Sequence, residues 1–276
     1  MSRSASPPPQ LVTAPSYSYV ELSAAPAPDS SAALAEEVAL ALSFNGINHS
    51  VMMVTPKDVA DFIRGFSLSS ALVTSIDDIY DIQLHSSTSS INAEIRISNR
   101  AFWAMKEQRR TLAGTSGCGL CGVEALDQAL PDIPSLSPSA LPPPEHLHGL
   151  RGRIEQAQTL ARDSGAVHAA LYVDEHGEIV LCREDIGRHN ALDKLIGALH
   201  SQALPRSKGF AVVTSRCSLE LIHKALRAGI GTLVSLSAPT SLSVQWARQH
   251  QLNLIHLPKH SAPRLYSPQA PGVAQP

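Results

Sequence analysis

Cys118 and Cys121 stand three residues apart in Gly117-Cys118-Gly119-Leu120-Cys121-Gly122, and glycine flanks each of them. An amphipathic run follows at once, with Val123, Ala125, Leu126, Ala129 and Leu130 as its apolar positions. A helix starting there would aim unpaired backbone N–H groups and the positive end of its dipole at the sulfurs. Both favour thiolate over thiol. Arg109 and Arg110 upstream add positive potential, and the glycines leave room for a partner to approach. This is the setting of a reactive sulfur. By spacing alone the pair fits a redox dithiol, half of a zinc site or a sulfur carrier. Zinc needs about four ligands, and there is no second C-x-x-C. The zinc-deaminase pattern H-x-E…P-C-x-x-C is mimicked only by His176-Gly177-Glu178, downstream of the cysteines, and no proline precedes Cys118.

Three further stretches concentrate groups that hold anions. Glu184-Asp185-Ile186-Gly187-Arg188-His189-Asn190 crowds two acids, a guanidinium, an imidazole and an amide into seven positions. Ser215-Arg216-Cys217-Ser218 and Ser237-Ala238-Pro239-Thr240 add hydroxyls and a second guanidinium. A solvated helix start would use Asp185 or Asn190 as its cap and leave the remaining crowding unexplained. If these stretches close strands and open helices, their backbone N–H groups converge on one sheet edge. Such an edge suits an oxygen-rich anion such as a nucleotide or pyrophosphate. Cys182 ends a predicted strand and reads as buried packing. Cys217 reads as a small loop residue, with activation by a helix N-terminus as the alternative. His168 lies in an apolar strand and reads as a core histidine. His146, His148, His200 and His250 read as surface residues.

Periodicity gives the elements that would position these groups. Apolar stretches at 38–42 and 47–54 flank Asn45-Gly46, a hairpin signal. Thr55-Pro56-Lys57-Asp58 reads as a helix start, with Thr55 as cap and Pro56 in the first helical position. Val59, Phe62, Ile63 and Phe66 recur at helical spacing and form one buried face. Strands are predicted at 77–84 and 91–97, and a helical turn or loop at 102–110. A helix is predicted over 145–163, then strands at 167–173 and 178–183. Helices at 190–201, 218–228 and 240–250 then alternate with strands at 209–214, 232–236 and 252–256. That alternation predicts an α/β fold, a mixed and partly parallel sheet with helices on both faces. The first half predicts a smaller α+β region. The Ser/Pro/Ala-rich start predicts a disordered tail over 1–31. The α+β region then runs over 32–130 and ends in the C-x-x-C loop and its helix. A Pro-rich linker spans 131–144, the α/β domain 145–266, and a second disordered tail 267–276.

Composition excludes several classes. With 276 residues and 43% hydrophobic content, a packed core is available. A net charge of −2 argues against general nucleic-acid binding, which calls for a basic excess. Four cysteines in a chain of this length are not a disulfide framework, so a reducing cytoplasm is expected. No run approaches the roughly 18 apolar residues a membrane span requires, so neither a membrane nor a nucleic-acid partner is expected.

With these blocks in view, the sequence resembles the FdhD family, the formate dehydrogenase accessory sulfurtransferases, over roughly residues 36–266. The resemblance rests on Asn45-Gly46, Thr55-Pro56, Cys118-Gly119-Leu120-Cys121-Gly122 and Val167-His168-Ala169-Ala170. Arg183 through Lys194, the most specific block, is joined by Ser215-Arg216, Lys224-Ala225 and Ser237-Ala238-Pro239-Thr240. It implies a cytidine-deaminase-like fold for the second domain and a sulfur carrier whose persulfide forms on Cys118, with Cys121 beside it. It implies a cysteine desulfurase as donor and the molybdenum cofactor, as bis-molybdopterin guanine dinucleotide, as a transient ligand and sulfur acceptor before insertion into formate dehydrogenase. The cofactor contacts it implies are His168, Glu184, Asp185, Arg188, His189, Asn190, Ser215, Arg216, Ser237 and Thr240. It adds the segment Leu257-Pro258-Lys259-His260-Ser261-Ala262. No resident metal is expected, and a homodimer is compatible with the pattern. The chain departs from the family at Ser69-Ser70-Ala71, where Glu-Gly is usual, and at Gly165-Ala166, where Gly-Gly is common. Cys217 replaces a small residue, and 257–262 is poorer in glycine and arginine. The competing readings are a dithiol oxidoreductase and a non-catalytic escort of the cofactor.

Overall fold

The computed structural model describes residues 13–22, 30–113 and 131–268, the side chains of 108–113 excepted. Cys118 and Cys121 lie outside the described residues. Composition predicts a disordered tail to residue 31. Instead β1 (Ser16–Tyr19) pairs antiparallel with β2 (Ser30–Ala33). The Ser-Tyr-Ser-Tyr alternation of β1 is a strand pattern, hidden in the sequence by the Pro/Ala bias around it.

The first sheet contains β3 (Val38–Phe44), β4 (Ile47–Val54), β5 (Ile79–Ser86) and β6 (Ser90–Ile97), in the order β4-β3-β6-β5. In β3, Val38, Leu40, Leu42 and Phe44 are buried and the residues between them half-buried, the period of a one-sided strand. Asn45 and Gly46 have φ of 47° and 80°, as a two-residue hairpin turn of this kind requires. The Asn45 side chain then ties the hairpin to β6, accepting from Ile97 N at 2.8 Å and donating to Ile97 O at 3.1 Å.

Among the described residues two helices belong to this half, α1 (Val59–Ser69) and α2 (Asn99–Ala113). The sequence places the cap of α1 at Thr55, but the cap is Asp58, three residues later and at φ 55°. Thr55 is buried and cannot cap, because its Oγ1 accepts from Ile186 N at 3.2 Å and its backbone N donates to Asp185. The turn predicted at 102–110 is the middle of the longer α2, whose start is fixed by Ala101 N donating to Ser98 Oγ at 3.2 Å.

The second sheet contains β7 (His168–Val173), β8 (Ile179–Asp185), β9 (Phe210–Val213), β10 (Thr232–Ser235), β11 (Asn253–His256) and β12 (Arg264–Ser267). Its order is β12-β11-β10-β9-β7-β8. The central strands β9, β10 and β11 are parallel, β7 is antiparallel to both neighbours, and β12 returns antiparallel to β11. One face is covered by α3 (Pro144–Leu147) and α4 (Leu150–Ala157), the other by α6 (Arg188–Ser201), α7 (Leu219–Arg227) and α8 (Ser241–Gln249). Leu171, Val212 and Val234 bury toward Leu150 and Ile154, whereas Ala170, Tyr172 and Leu233 bury toward the other face.

The single helix predicted over 145–163 is three pieces: α3, α4 and α5 (Leu160–Ser164). Gly149 breaks it first, at φ 62°. The second break is tertiary, since the amides of Thr159, Leu160 and Ala161 turn to the Glu184 carboxylate.

The two sheets share one core, a buried cluster that runs from Val38 through Phe62 and Leu195 to Leu254. Helices α1 and α6 cross at backbone contact. A Cβ on Gly65 would meet Asp193 O at 1.7 Å, and one on Gly197 would meet Asp61 O at 1.9 Å. The Pro-rich stretch between the halves is held down as well. Ile133 is buried, Leu136 N donates to His250 O, and Ser139 Oγ donates to Gly231 O at 3.0 Å. Among the described residues no helix is long and apolar enough to cross a membrane.

Candidate functional site

The ends of β9, β10 and β11 lie along one edge of the second sheet, with the end of β8 and the start of β7 beside them. His168 is paired with Asp185 in the β7–β8 register. The loops that leave this edge are stitched to their neighbours. Leu236 N donates to Val213 O at 3.0 Å and Leu257 N to Ser235 O at 2.8 Å. Ser235 Oγ contacts the carbonyls of Ser215 and Ser237, at 3.2 and 2.6 Å. Three of the four segments that the sequence singled out by their chemistry therefore meet at one edge, together with 257–262 beyond β11.

Within the Glu184 to Asn190 block the structure separates two jobs. Glu184 is buried, and its carboxylate accepts from Thr159 N, Leu160 N and Ala161 N at 2.9–3.0 Å and from Thr159 Oγ1 at 3.1 Å. It is an N-terminal cap for α5 delivered from another strand. Asp185 is fully buried. Its oxygens take Lys194 Nζ at 2.7 Å, Thr55 N at 3.0 Å, Gly187 N at 2.8 Å and Asn190 Nδ2 at 2.9 Å. Asn190 also donates to Met53 O at 2.9 Å, and Lys194 to the carbonyls of Thr55 and Glu184 at 3.0 and 3.1 Å. These groups fasten the end of β4 to the second sheet. Burial pulls the Lys194 ammonium below its ordinary pKa, and Asp185 opposes that pull. The polar groups of Glu184, Asp185 and Asn190 are thus engaged inside the protein, in a fastening role that motif reading alone does not reveal.

The remaining expected contacts face the edge differently. His168 is half-buried and held below its ordinary pKa, first by burial and then by the nearby Arg188 guanidinium. Nε of Arg188 is buried and has no hydrogen-bond partner among the described residues. His189 Nε2 lies 2.6 Å from Glu220 Oε2, but burial outweighs that carboxylate and keeps the imidazole below its ordinary pKa. Ser215 is buried and Arg216 exposed. Thr240 caps α8, its Oγ1 accepting from Ser243 N at 3.3 Å. Ser237 and Pro258 are half-buried, Leu257 is buried, and Lys259, His260, Ser261 and Ala262 are exposed.

The edge fits an oxygen-rich anion on two counts. α6 and α7 both open here without a side-chain cap, at Gly187 and Ser218, so their first backbone N–H groups have no local side-chain acceptor. Among the described residues the buried Ser218 Oγ and Arg188 Nε at these starts, and Arg151 Nε and His256 Nδ1 at the loops after β10 and β11, also lack hydrogen-bond partners. Orphaned buried polar atoms are rare in folded proteins and mark strain, an ordered water or a bound ligand. Arg151, Glu220 and His256 escape sequence reading. Arg151 looks like any helical surface arginine, and His256 like a strand residue.

The two cysteines within the described residues are poor sulfur carriers. Cys182 is half-buried, and burial pushes its thiol up to about 12, with Glu184 adding to the rise. Cys217 is buried, and burial alone pushes it up to about 12. Its packing rules out the activated reading. His250, read as a surface residue, is buried instead, stacked on Trp246 at 4.9 Å, and His223 lies 4.5 Å from the same ring. His200 is half-buried against Arg206.

The described residues thus form a mixed α/β protein whose two larger sheets share one core, with two uncapped helix starts at one edge of the second. Comparison with known proteins gives its family. The FdhD/NarQ family matches residues 35–271. The sulfur carrier protein FdhD of Bordetella parapertussis is 42% identical over 235 residues, 85% of each chain. That of Cupriavidus necator is 41% identical over 234 residues, 85% of this chain and 81% of the relative. A crystal structure from Desulfotalea psychrophila, assigned as a formate dehydrogenase accessory protein, superposes with a TM-score of 0.73 at 17% identity. It covers 94% of this chain and 98% of its own, and at that identity it speaks for the fold. The chain belongs to the FdhD/NarQ family.

Proposed function

We propose that this protein is a cytoplasmic sulfur carrier with sulfurtransferase activity, serving formate dehydrogenase. The Cys118 thiolate attacks the terminal sulfur of a cysteine desulfurase persulfide. As the new S–S bond forms, the donor's S–S bond breaks and its thiolate leaves. The outer sulfur then passes to the molybdenum cofactor, in its bis-molybdopterin guanine dinucleotide form, before that cofactor enters formate dehydrogenase: the acceptor supplies the electron pair of the new bond, the S–S bond breaks, and the Cys118 thiolate leaves. The relatives' names support sulfur carriage. The observation that carries the ligand assignment is the sheet edge. Uncapped starts of α6 and α7 stand beside the unpartnered Arg188 Nε and Ser218 Oγ, which suits the phosphates of a nucleotide-bearing cofactor. Arg216 and Lys259 add charge from exposed positions.

Mass analysis after incubation with cysteine and a cysteine desulfurase tests the sulfur step. One extra sulfur on the Cys118 peptide, lost in Cys118→Ser and kept in Cys182→Ser, supports the reading. A Cys118→Ser protein that still gains sulfur and still activates formate dehydrogenase defeats it. A Cys118–Cys121 disulfide without sulfur gain would favour the dithiol oxidoreductase, and cofactor binding without sulfur gain the non-catalytic escort.

A further inference from the structure

We infer that Arg151 is a positioning residue of the ligand edge, setting the spacing of the two loops that follow β10 and β11. The inference rests on the reading of this edge as the nucleotide end of the cofactor site. Arg151 stands on α4, in the layer that covers the far face of the sheet. Its Nη2 donates to Leu236 O at 2.6 Å and to Leu257 O at 2.5 Å. Those carbonyls belong to the first residues beyond β10 and β11, where 237–240 and 257–262 begin. One nitrogen therefore fixes how far apart two adjacent loops start, although they are joined to it 85 and 106 positions away in the chain.

The charge balance gives a second, independent argument. Among the described residues Arg151 forms no salt bridge, and its Nε is buried without a partner. Carbonyl dipoles solvate a guanidinium but do not neutralise it, and an uncompensated, partly buried cation is costly. The charge is felt at the edge, since together with burial and Arg264 it pushes the His256 imidazole below its ordinary pKa. An anion held between the two loops would supply the missing countercharge. A surface clip that served only to close the fold would have no need of an unneutralised guanidinium, because a neutral amide could bridge two carbonyls as well.

The test measures GDP binding by calorimetry on the full-length protein, with thermal unfolding and hydrogen exchange measured alongside. Arg151→Ala should weaken GDP about tenfold or more, the scale of a lost charge-assisted contact. Amide exchange should quicken in both 237–240 and 257–262. Arg151→Lys keeps the charge but not the planar fork. It should bind GDP at intermediate strength, and it carries the test if the alanine variant does not fold. A lowered melting temperature with unchanged GDP affinity, or loosening of only one loop, overturns the inference. If the unaltered protein fails to bind GDP at all, the reading of the edge fails before the role of Arg151 is reached.

Discussion

The Asp185 carboxylate takes four donors, as many as Glu184, and its partners explain its role. The residues it and its neighbours hold, Thr55 and Met53, lie 130 to 139 positions away in sequence. Spacing within 183–194 could expose the crowding of polar groups but not its purpose, because the partners it fastens, Thr55 and Met53, are non-local. Asp185→Asn tests the fastening role. It leaves the Lys194 ammonium buried without a countercharge. Breaking one side of a buried pair costs about 3 kcal/mol, so the urea midpoint should fall by the corresponding amount. A variant as stable as the parent would mean that the ammonium simply gives up its proton at no cost. The sequence did reveal which loops meet at the edge, because strand ends and helix starts are local signals. It could not reveal which of their side chains face inward.

At the scale of elements, two contacts between helices were invisible to periodicity. The apolar faces of α1 and α6 were legible, but the crossing is made by Gly65 and Gly197, and a glycine adds nothing to an apolar pattern. Gly197→Ala would drive a methyl group into Asp61 O. Overpacking of this kind costs about 3 kcal/mol, to be read from denaturant unfolding, and an unchanged midpoint would mean the helices can part without loss. The second contact is the ring cluster of His223, Trp246 and His250 between α7 and α8, with His250 stacked on Trp246 and His223 tilted against it. Burial holds His223 down to about 4, with Arg227 and His250 adding to the shift and Glu220 opposing it. His200 is likewise held down to about 4, by burial and by Arg206. These folded values lie below the ordinary 6.5, so the unfolded chain binds protons first as the pH falls. Their contribution is complete above about pH 6.5 and is lost on acidification toward about 4. Urea midpoints should therefore drop between about pH 7 and about pH 5, and by less in His223→Gln. Equal losses in the two proteins would assign the pH dependence to other groups.

The whole molecule joins its halves more tightly than the Pro-rich stretch at 131–144 led the sequence reading to expect. Composition marks that stretch as a boundary, yet it is pinned to the second half at His250 and Gly231 through Leu136 and Ser139, and a continuous core passes from one large sheet to the other. Three independent ties cross between the halves: the glycine crossing, the Asp185 network, and the Arg183 guanidinium on Asp61 at 2.8 Å. A fourth is Lys224, which holds Asp193 on α6 at 2.7 Å and Ser69 on α1 at 3.0 Å. Cooperative unfolding follows when the contacts between units are as dense as those within them. The two tryptophans provide a reporter for each half. Trp103 lies on α2 beside the first sheet, 60% exposed, and Trp246 lies half-buried in α8. In Trp246→Phe only Trp103 emits, and in Trp103→Phe only Trp246. Each transition should coincide with the far-ultraviolet circular dichroism of the same variant, at one midpoint and one slope. If the Trp103 signal were lost at lower urea than the Trp246 signal, the first half would be a separable domain and the four ties would be too weak to couple it. Adding Asp185→Asn to either reporter probes the coupling directly. If the halves are one unit, the midpoint moves but the probes stay coincident. If the Asp185 network alone joined them, the two transitions would come apart.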